Sequence, residues 1–213
     1  MRGYSMAKIQ IAIYICIFSI FTSISYAACD KTIPGHYPDR YVVNNSNGTI
    51  TDRMTGLMWS KCIMGMTWNA SRGLCMGPIE SEAEVRIQSK DWRTTLETVA
   101  IINQSGFANY NDWRLPNIKE LGSIMDPACL TNLHALALDL NAFDVYSLSS
   151  DRTSASTSYW SSTPSRIVHV DPDTQIITNQ AWQINFFPDI GFGARGHPIS
   201  HTSHARLVRG ESQ

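Results

Sequence analysis

Asp112-Trp113-Arg114-Leu115-Pro116-Asn117-Ile118-Lys119-Glu120-Leu121 is the stretch on which the fold of this chain turns. Charged residues alternate with large apolar ones, and a proline then fixes the backbone just ahead of a helix start. Asn117 and Glu120 have the spacing of a capping box, in which each side chain satisfies a backbone N–H of the first turn. Pro116 makes the entry rigid, because the residue before a proline is held extended. The pattern predicts a helix from Asn117 through Ile118, Leu121 and Ile124 to Asp126. Within the motif, Asp112 and Arg114 are either ligand contacts beside a Trp113 platform or parts of the frame. In the second case Arg114 pairs with a buried carboxylate while Trp113 and Leu115 fill the core. A motif rich in Trp, Leu and Pro requires fixed packing more than accessible chemistry, so the frame reading is adopted.

Working outward, a second helix precedes the motif. Thr94 and Glu97 form another capping-box signature, and Leu96, Val99, Ala100 and Asn103 share one helical face. Ser105-Gly106 ends that helix, since glycine accepts the left-handed backbone of a C-terminal cap. Residues 61–90 read as loop, with at most a turn or two of helix in Ser81–Gln88. Further upstream, Tyr41-Val42-Val43, Thr49-Ile50-Thr51-Asp52 and Leu57-Met58-Trp59-Ser60 are three short strands. Asn44-Asn45-Ser46-Asn47-Gly48 and Arg53-Met54-Thr55-Gly56 are the turns between them. After the motif, Leu133–Leu140 is a candidate short helix and Ser147–Ser158 a Ser/Thr-rich loop. Tyr159-Trp160-Ser161-Ser162 and Ile167-Val168-His169-Val170 then read as strands, and Asp171-Pro172-Asp173 as a turn. Trp182, Ile184 and Phe186 alternate on one face of another strand, and Arg206-Leu207-Val208-Arg209 closes the chain as the last. Strands at both chain ends, with two main helices between, predict an α+β domain whose termini meet in one sheet.

The first residues are made for export. Arg2 and Lys8 form a positive region, Ile9 to Phe21 is almost wholly apolar, and Ser25 and Ala27 stand where a signal peptidase cuts. Residues 1–27 are therefore read as a signal peptide, 28–40 as a lead-in segment and 41–210 as a single domain. No transmembrane span is expected after cleavage. An uncleaved anchor and a lipid attached at Cys29 are the alternatives. Of the 17 basic residues two lie in the leader, which leaves 15 against 18 acidic ones. That balance gives no support to nucleic-acid binding, which requires a basic excess. Four cysteines remain after the leader: Cys29, Cys62, Cys75 and Cys129. An even count in an exported chain suggests two bridges. Cys62 and Cys75 flank one Gly- and Met-rich loop, so they are paired, which leaves Cys29 with Cys129. A metal site is the rival, but the spacing holds no C-x-x-C and no nearby His pair.

The order of several signatures is distinctive. Gly48-Thr49-Ile50-Thr51-Asp52 runs into Thr55-Gly56-Leu57-Met58-Trp59. Asp112-Trp113-Arg114-Leu115-Pro116 and Ile118-Lys119-Glu120-Leu121 follow. Tyr159-Trp160-Ser161-Ser162-Thr163, then Trp182 with Ile184 and Phe186, and finally Arg206-Leu207-Val208-Arg209 complete the set. Over roughly residues 41–209 the chain resembles the Lcl C-terminal domain family, named for a collagen-like adhesin of Legionella. The resemblance implies a bacterial cell-envelope or secreted domain, related to C-type-lectin-like folds in which the chain ends pair in one sheet. For the collagen-like adhesin it implies binding of sulfated host polysaccharides. The Gly-X-Y stalk of that adhesin has no counterpart here, and the mature chain is slightly acidic.

Against that background Asp52, Trp59, Asp112, Trp113, Arg114, Trp160 and Trp182 are assigned to the frame. The carboxylate of Asp52 serves its own turn, as Asp does in an Asx-turn. A calcium ion there is the alternative, since lectin-like folds use such carboxylates; no other cofactor is expected. The serines of 159–163 lack a nucleophile context and read as strand hydroxyls. His197, His201 and His204, with Arg195, Arg206 and Arg209, are the candidate ligand-binding residues. They would form a positive patch that strengthens below neutral pH. A loop metal site at His201 and His204 and a plain polar loop are the other readings. The expected function is a non-catalytic binding or adhesion module for a glycan or an envelope protein. The rivals are an enzyme acting on envelope polysaccharide through Asp112, Glu120 or Asp189, and a structural part of an envelope complex.

Overall fold

At Gly48 the backbone takes φ +71°, and a Cβ there would lie 2.5 Å from Cβ of Trp68. Only glycine fits a left-handed position so close to a neighbour. The turn it closes joins the strands Tyr41–Asn44 (β1) and Thr49–Asp52 (β2), which pair antiparallel. Met58–Ser60 (β3) continues the meander through the Asp52–Gly56 turn. The structure is a computed structural model. It describes residues 29–30, 32–33, 36–77, 90–130, 136–143, 158–170, 177–187 and 193–210. The expected signal peptide, the expected helical turn at Ser81–Gln88, most of the expected loop Ser147–Ser158, the expected turn at Asp171–Asp173 and Asp189 lie outside those residues.

Two further strands, Thr67–Asn69 (β4) and Leu74–Met76 (β5), form a hairpin inside the stretch expected to be loop. The first helix, Trp92–Ser105 (α1), starts earlier than predicted. Its cap is Asp91, whose carboxylate accepts from both the backbone N–H and the hydroxyl of Thr94, so Thr94 is the third helical residue. The buried face carries Thr95 and Val99, while Leu96 is exposed. Gly106 ends the helix with φ +69°. The second helix, Ile118–Ser123 (α2), has the full Asn117/Glu120 capping box. It stops three residues before Asp126, and a 3-10 turn, Pro127–Cys129, follows with Asp126 as its cap. Residues 136–140, the described part of the candidate helix Leu133–Leu140, are not helical.

Ser158–Val170 (β6), Ile177–Asn185 (β7) and Gly193–Pro198 (β8) form a three-stranded antiparallel sheet. The two strands expected at 159–162 and 167–170 are one, and β8 occupies a segment expected to be loop. The last strand is two residues, Val208–Arg209 (β9), paired with β3 in the order β1-β2-β3-β9. With the hairpin this makes an α+β architecture, with three antiparallel sheets and two α-helices among the described residues.

Residues 203–208 stitch these parts together. Ser203 exchanges backbone hydrogen bonds with Lys90, His204 with Ser158 and Trp160, and Val208 with Arg114; Met64 and Ser60 donate to Ala205 and Leu207. Ala205 and Leu207 thereby fall in a core with Val99, Trp113, Leu115, Trp160 and Ala181. Val208 belongs to a larger core with Ile50, Trp59, Leu121, Phe143, Ile184 and Phe186. Both faces of the segment are buried, so every side chain from Ser203 to Val208 is interior. Two disulfides, Cys29–Cys129 and Cys62–Cys75, add the covalent ties.

Candidate functional site

Asp52, Glu120 and Asp112 are each held in an ion pair with an arginine. Asp52 is fully buried and takes two parallel hydrogen bonds from Arg40, Nε–Oδ1 2.9 Å and Nη2–Oδ2 2.6 Å. Met54 N–H and the Thr55 hydroxyl complete its set. Burial pushes its pKa up, but the hydrogen bonds from Arg40, Thr55 and Met54 outweigh that and hold it below the usual range. Glu120 is bound in the same way by Arg114, at 2.7 and 2.8 Å, and accepts from Asn117 N–H. Its pKa is also lowered: burial opposes, and Arg114 and Asn117 prevail. Asp112 meets Arg209, whose hydrogen bonds pull its carboxyl down despite slight desolvation.

The tryptophans hold this frame. Trp113 donates its indole N–H to Phe107 O, and Asn103 bridges its backbone at 2.8 and 2.9 Å. Trp160 donates to Lys90 O. Trp59 is fully buried edge-on to Phe143. Trp182 is half-buried, and its carbonyl accepts from the Ser161 hydroxyl.

The six residues expected to make one positive patch are separated. Arg206 is 1% exposed; it donates to the carbonyls of Ser60 and Lys61 and lies over the rings of Phe143 and Tyr159. His204 is buried beside Tyr159. Both positions fall in the stitched segment, so neither reaches solvent. Arg209 is taken by Asp112 and Tyr110. Arg195, His197 and His201 stay together at the surface. Arg195 and His197 are two residues apart on β8 and share a face. The rings of His197 and His201 stack with centroids 5.2 Å apart. Burial lowers the pKa of His197, and His201 and Arg195 lower it further. Across the ladder Arg195 faces Gln183, a buried carboxamide with no hydrogen-bond partner among the described residues.

A second concentration of functional groups was not foreseen in the sequence. His36 Nδ1 lies 2.7 Å from Asp126 Oδ2, directly beside the Cys29–Cys129 bridge. A cavity of about 180 Å³ opens there, lined among others by Cys29, His36, Tyr41, Asp139 and Asn141. The Tyr41 hydroxyl is buried without a partner among the described residues, and its burial raises its pKa. The signal available was Asp126-x-x-Cys129 on one turn, but His36 sits ninety residues away in sequence.

The Lcl C-terminal domain family matches over residues 48–209, from the turn glycine to the last strand. This chain belongs to the Lcl C-terminal domain family. The match takes in Arg195, His197 and His201 and the whole ion-paired motif. Cys29, His36, Arg40 and Tyr41 precede the part matched to the Lcl C-terminal domain. No curated protein matches the chain. Among the described residues no helix is long and apolar enough to cross a membrane.

Proposed function

We propose that the chain is a non-catalytic extracytoplasmic binding module of lectin-like fold, which meets an anionic glycan through Arg195, His197 and His201. The observation that carries this is the His197–His201 stack with Arg195 on the same face of an end strand. Burial, and after it the His201 imidazole and the Arg195 guanidinium, disfavour protonation of His197, and a bound polyanion offsets the repulsion from those two neighbours. The surface is then a receptor for sulfate or carboxylate groups that tightens as pH falls. Membership of a family named for an adhesin and two disulfides support an address outside the cytoplasm.

Two of the three candidate acids support the non-catalytic reading. A glycoside hydrolase requires one carboxyl with a raised pKa to protonate the leaving oxygen. Asp112 and Glu120 are both held down by bidentate arginines. Both oxygens of Asp52 are likewise engaged by Arg40.

A glycan array probed with the mature protein, at two salt levels and with or without chelator, tests the function. Saturable, salt-sensitive and chelator-resistant binding to sulfated or uronate-rich glycans is expected, with loss in the His197→Ala/His201→Ala variant. Binding to neutral glycans alone, or binding that the double variant retains, overturns the proposal.

A further inference from the structure

The corner where the lead-in segment meets the 3-10 turn after α2 brings together Cys29, His36, Asp126 and Cys129. One ligand atom from each lies within 4.8 Å of all the others. With the bridge closed the sulfurs hold no metal. We propose that two-electron reduction of Cys29–Cys129 turns this corner into a four-ligand site for a tetrahedral divalent cation of the zinc type.

The ligand set is the chemistry such an ion selects: two soft thiolates, an imidazole and a carboxylate. Bonds of about 2.0–2.3 Å in a tetrahedron place ligand atoms about 3.3–3.8 Å apart, so the two sulfurs must part by about 2 Å once the bridge opens, while the other ligand atoms adjust by about 1 Å. One tie between the two segments does not depend on the bridge. Asp30 N–H donates to Ala128 O at 2.7 Å, next to both cysteines, and ties the two segments independently of sulfur. Asp126 and Cys129 are three residues apart on one turn, held by Cys129 N–H to Asp126 O. Ala128 N–H donates to Asp126 Oδ1 and orients the carboxylate from behind, as metal ligands require. Asp126 N–H is in turn fixed to Ala137 O. The cavity lined by Cys29 and His36 gives a small reductant and the ion their route in.

The step balances with an external dithiol. Its thiolate attacks one sulfur of the bridge, the S–S bond breaks, and its second thiol resolves the mixed disulfide. The dithiol leaves as a cyclic disulfide and the chain gains two thiols. The cation then displaces two thiol protons and binds two thiolates, neutral His36 and ionised Asp126.

The test uses the mature protein, reduced with excess dithiothreitol, desalted without oxygen and titrated with Co²⁺, then Zn²⁺. One Co²⁺ per chain with a thiolate-to-cobalt charge-transfer band and tetrahedral d–d bands is expected, both erased by Zn²⁺. His36→Ala and Asp126→Asn should each weaken binding by about ten-fold or more. Cys62→Ser/Cys75→Ser should keep the band and Cys29→Ser/Cys129→Ser should lose it. If reduction loosens the fold, added Zn²⁺ should restore the circular dichroism spectrum. Absence of the charge-transfer band in the reduced protein, folded or not, overturns the proposal. So does a band that depends on Cys62 and Cys75, or one indifferent to both His36 and Asp126.

Discussion

Arg209 binds Asp112 through two hydrogen bonds, Nε–Oδ1 2.7 Å and Nη2–Oδ2 3.1 Å, while its guanidinium lies 3.7 Å from the centre of the Tyr110 ring. The last strand is thereby clasped to the motif that precedes α2, 97 residues earlier. An arginine read as part of a binding surface is a fastener. Arg114 and Arg40 do the same work on Glu120 and Asp52. Among the six residues expected to form the patch, positive charge available for a ligand is accordingly confined to those at and just after β8.

The Arg40–Asp52 pair makes acid stability specific. The folded pKa of Asp52 lies below its unfolded value, so its stabilisation is complete above that unfolded value, about 3.9, and is lost as pH falls through the folded one. Thermal unfolding followed from about pH 6 to about pH 2.5 should show a steep fall at the acid end. Asp52→Asn should flatten that fall and cost about 3 kcal/mol at neutral pH, because Arg40 keeps its burial and loses its partner. An unchanged acid limb is inconsistent with the assignment.

His197 predicts opposite trends for stability and binding. Its folded pKa is depressed, so between that value and about 6.5 the unfolded chain binds more protons. Stability of the free protein should therefore decline as pH falls through that window, and His197→Asn should remove the decline. An NMR titration of the His197 imidazole checks the sign: a midpoint above that of an exposed histidine does not fit the stacked arrangement.

Glu120 closes a capping box and a bidentate pair at once. Glu120→Ala should lower stability by about 2–4 kcal/mol, from the lost cap and the stranded guanidinium. Glu120→Gln retains an acceptor for Asn117 N–H and should cost less. Urea unfolding of the two variants side by side resolves the difference; equal losses would mean that the charge alone matters.

Gly48 is the sharpest steric test. Gly48→Ala forces a left-handed alanine against Trp68 and should cost at least about 2 kcal/mol. A loss below about 0.5 kcal/mol would show that the turn relaxes freely.

Much of this was legible in the sequence. Asn47-Gly48 and Thr55-Gly56 marked the meander, Asn117 with Glu120 marked α2, and the cysteine spacing pointed to both bridges. Local chemistry determined those features. Others depended on distant partners. Thr94 and Asp91 are both good caps, and Asp91 wins because Trp92 N–H bonds to Ile199 O, which starts the helix sooner. β8 was hidden because Gly193-Ala194-Arg195-Gly196-His197-Pro198 has weak strand propensity and is drawn extended by β7. Arg206 between Ala205 and Leu207 reads as one polar face of a strand. Only a segment with a core on each side buries both faces, and a single sequence does not show that second core. His36 and Asp126 carry no local pattern, so their meeting beside a disulfide was visible only in three dimensions.

That Arg195, His197 and His201 form a pH-sensitive anion surface is best tested by calorimetry. A sulfated polysaccharide would be titrated into the protein at about pH 5.5 and about pH 8 in one salt concentration. Affinity should be about ten-fold higher at the lower pH, with near-complete loss of that difference in His197→Ala/His201→Ala. Equal affinity at both pH values, or a pH dependence that the double variant keeps, is incompatible with such a surface.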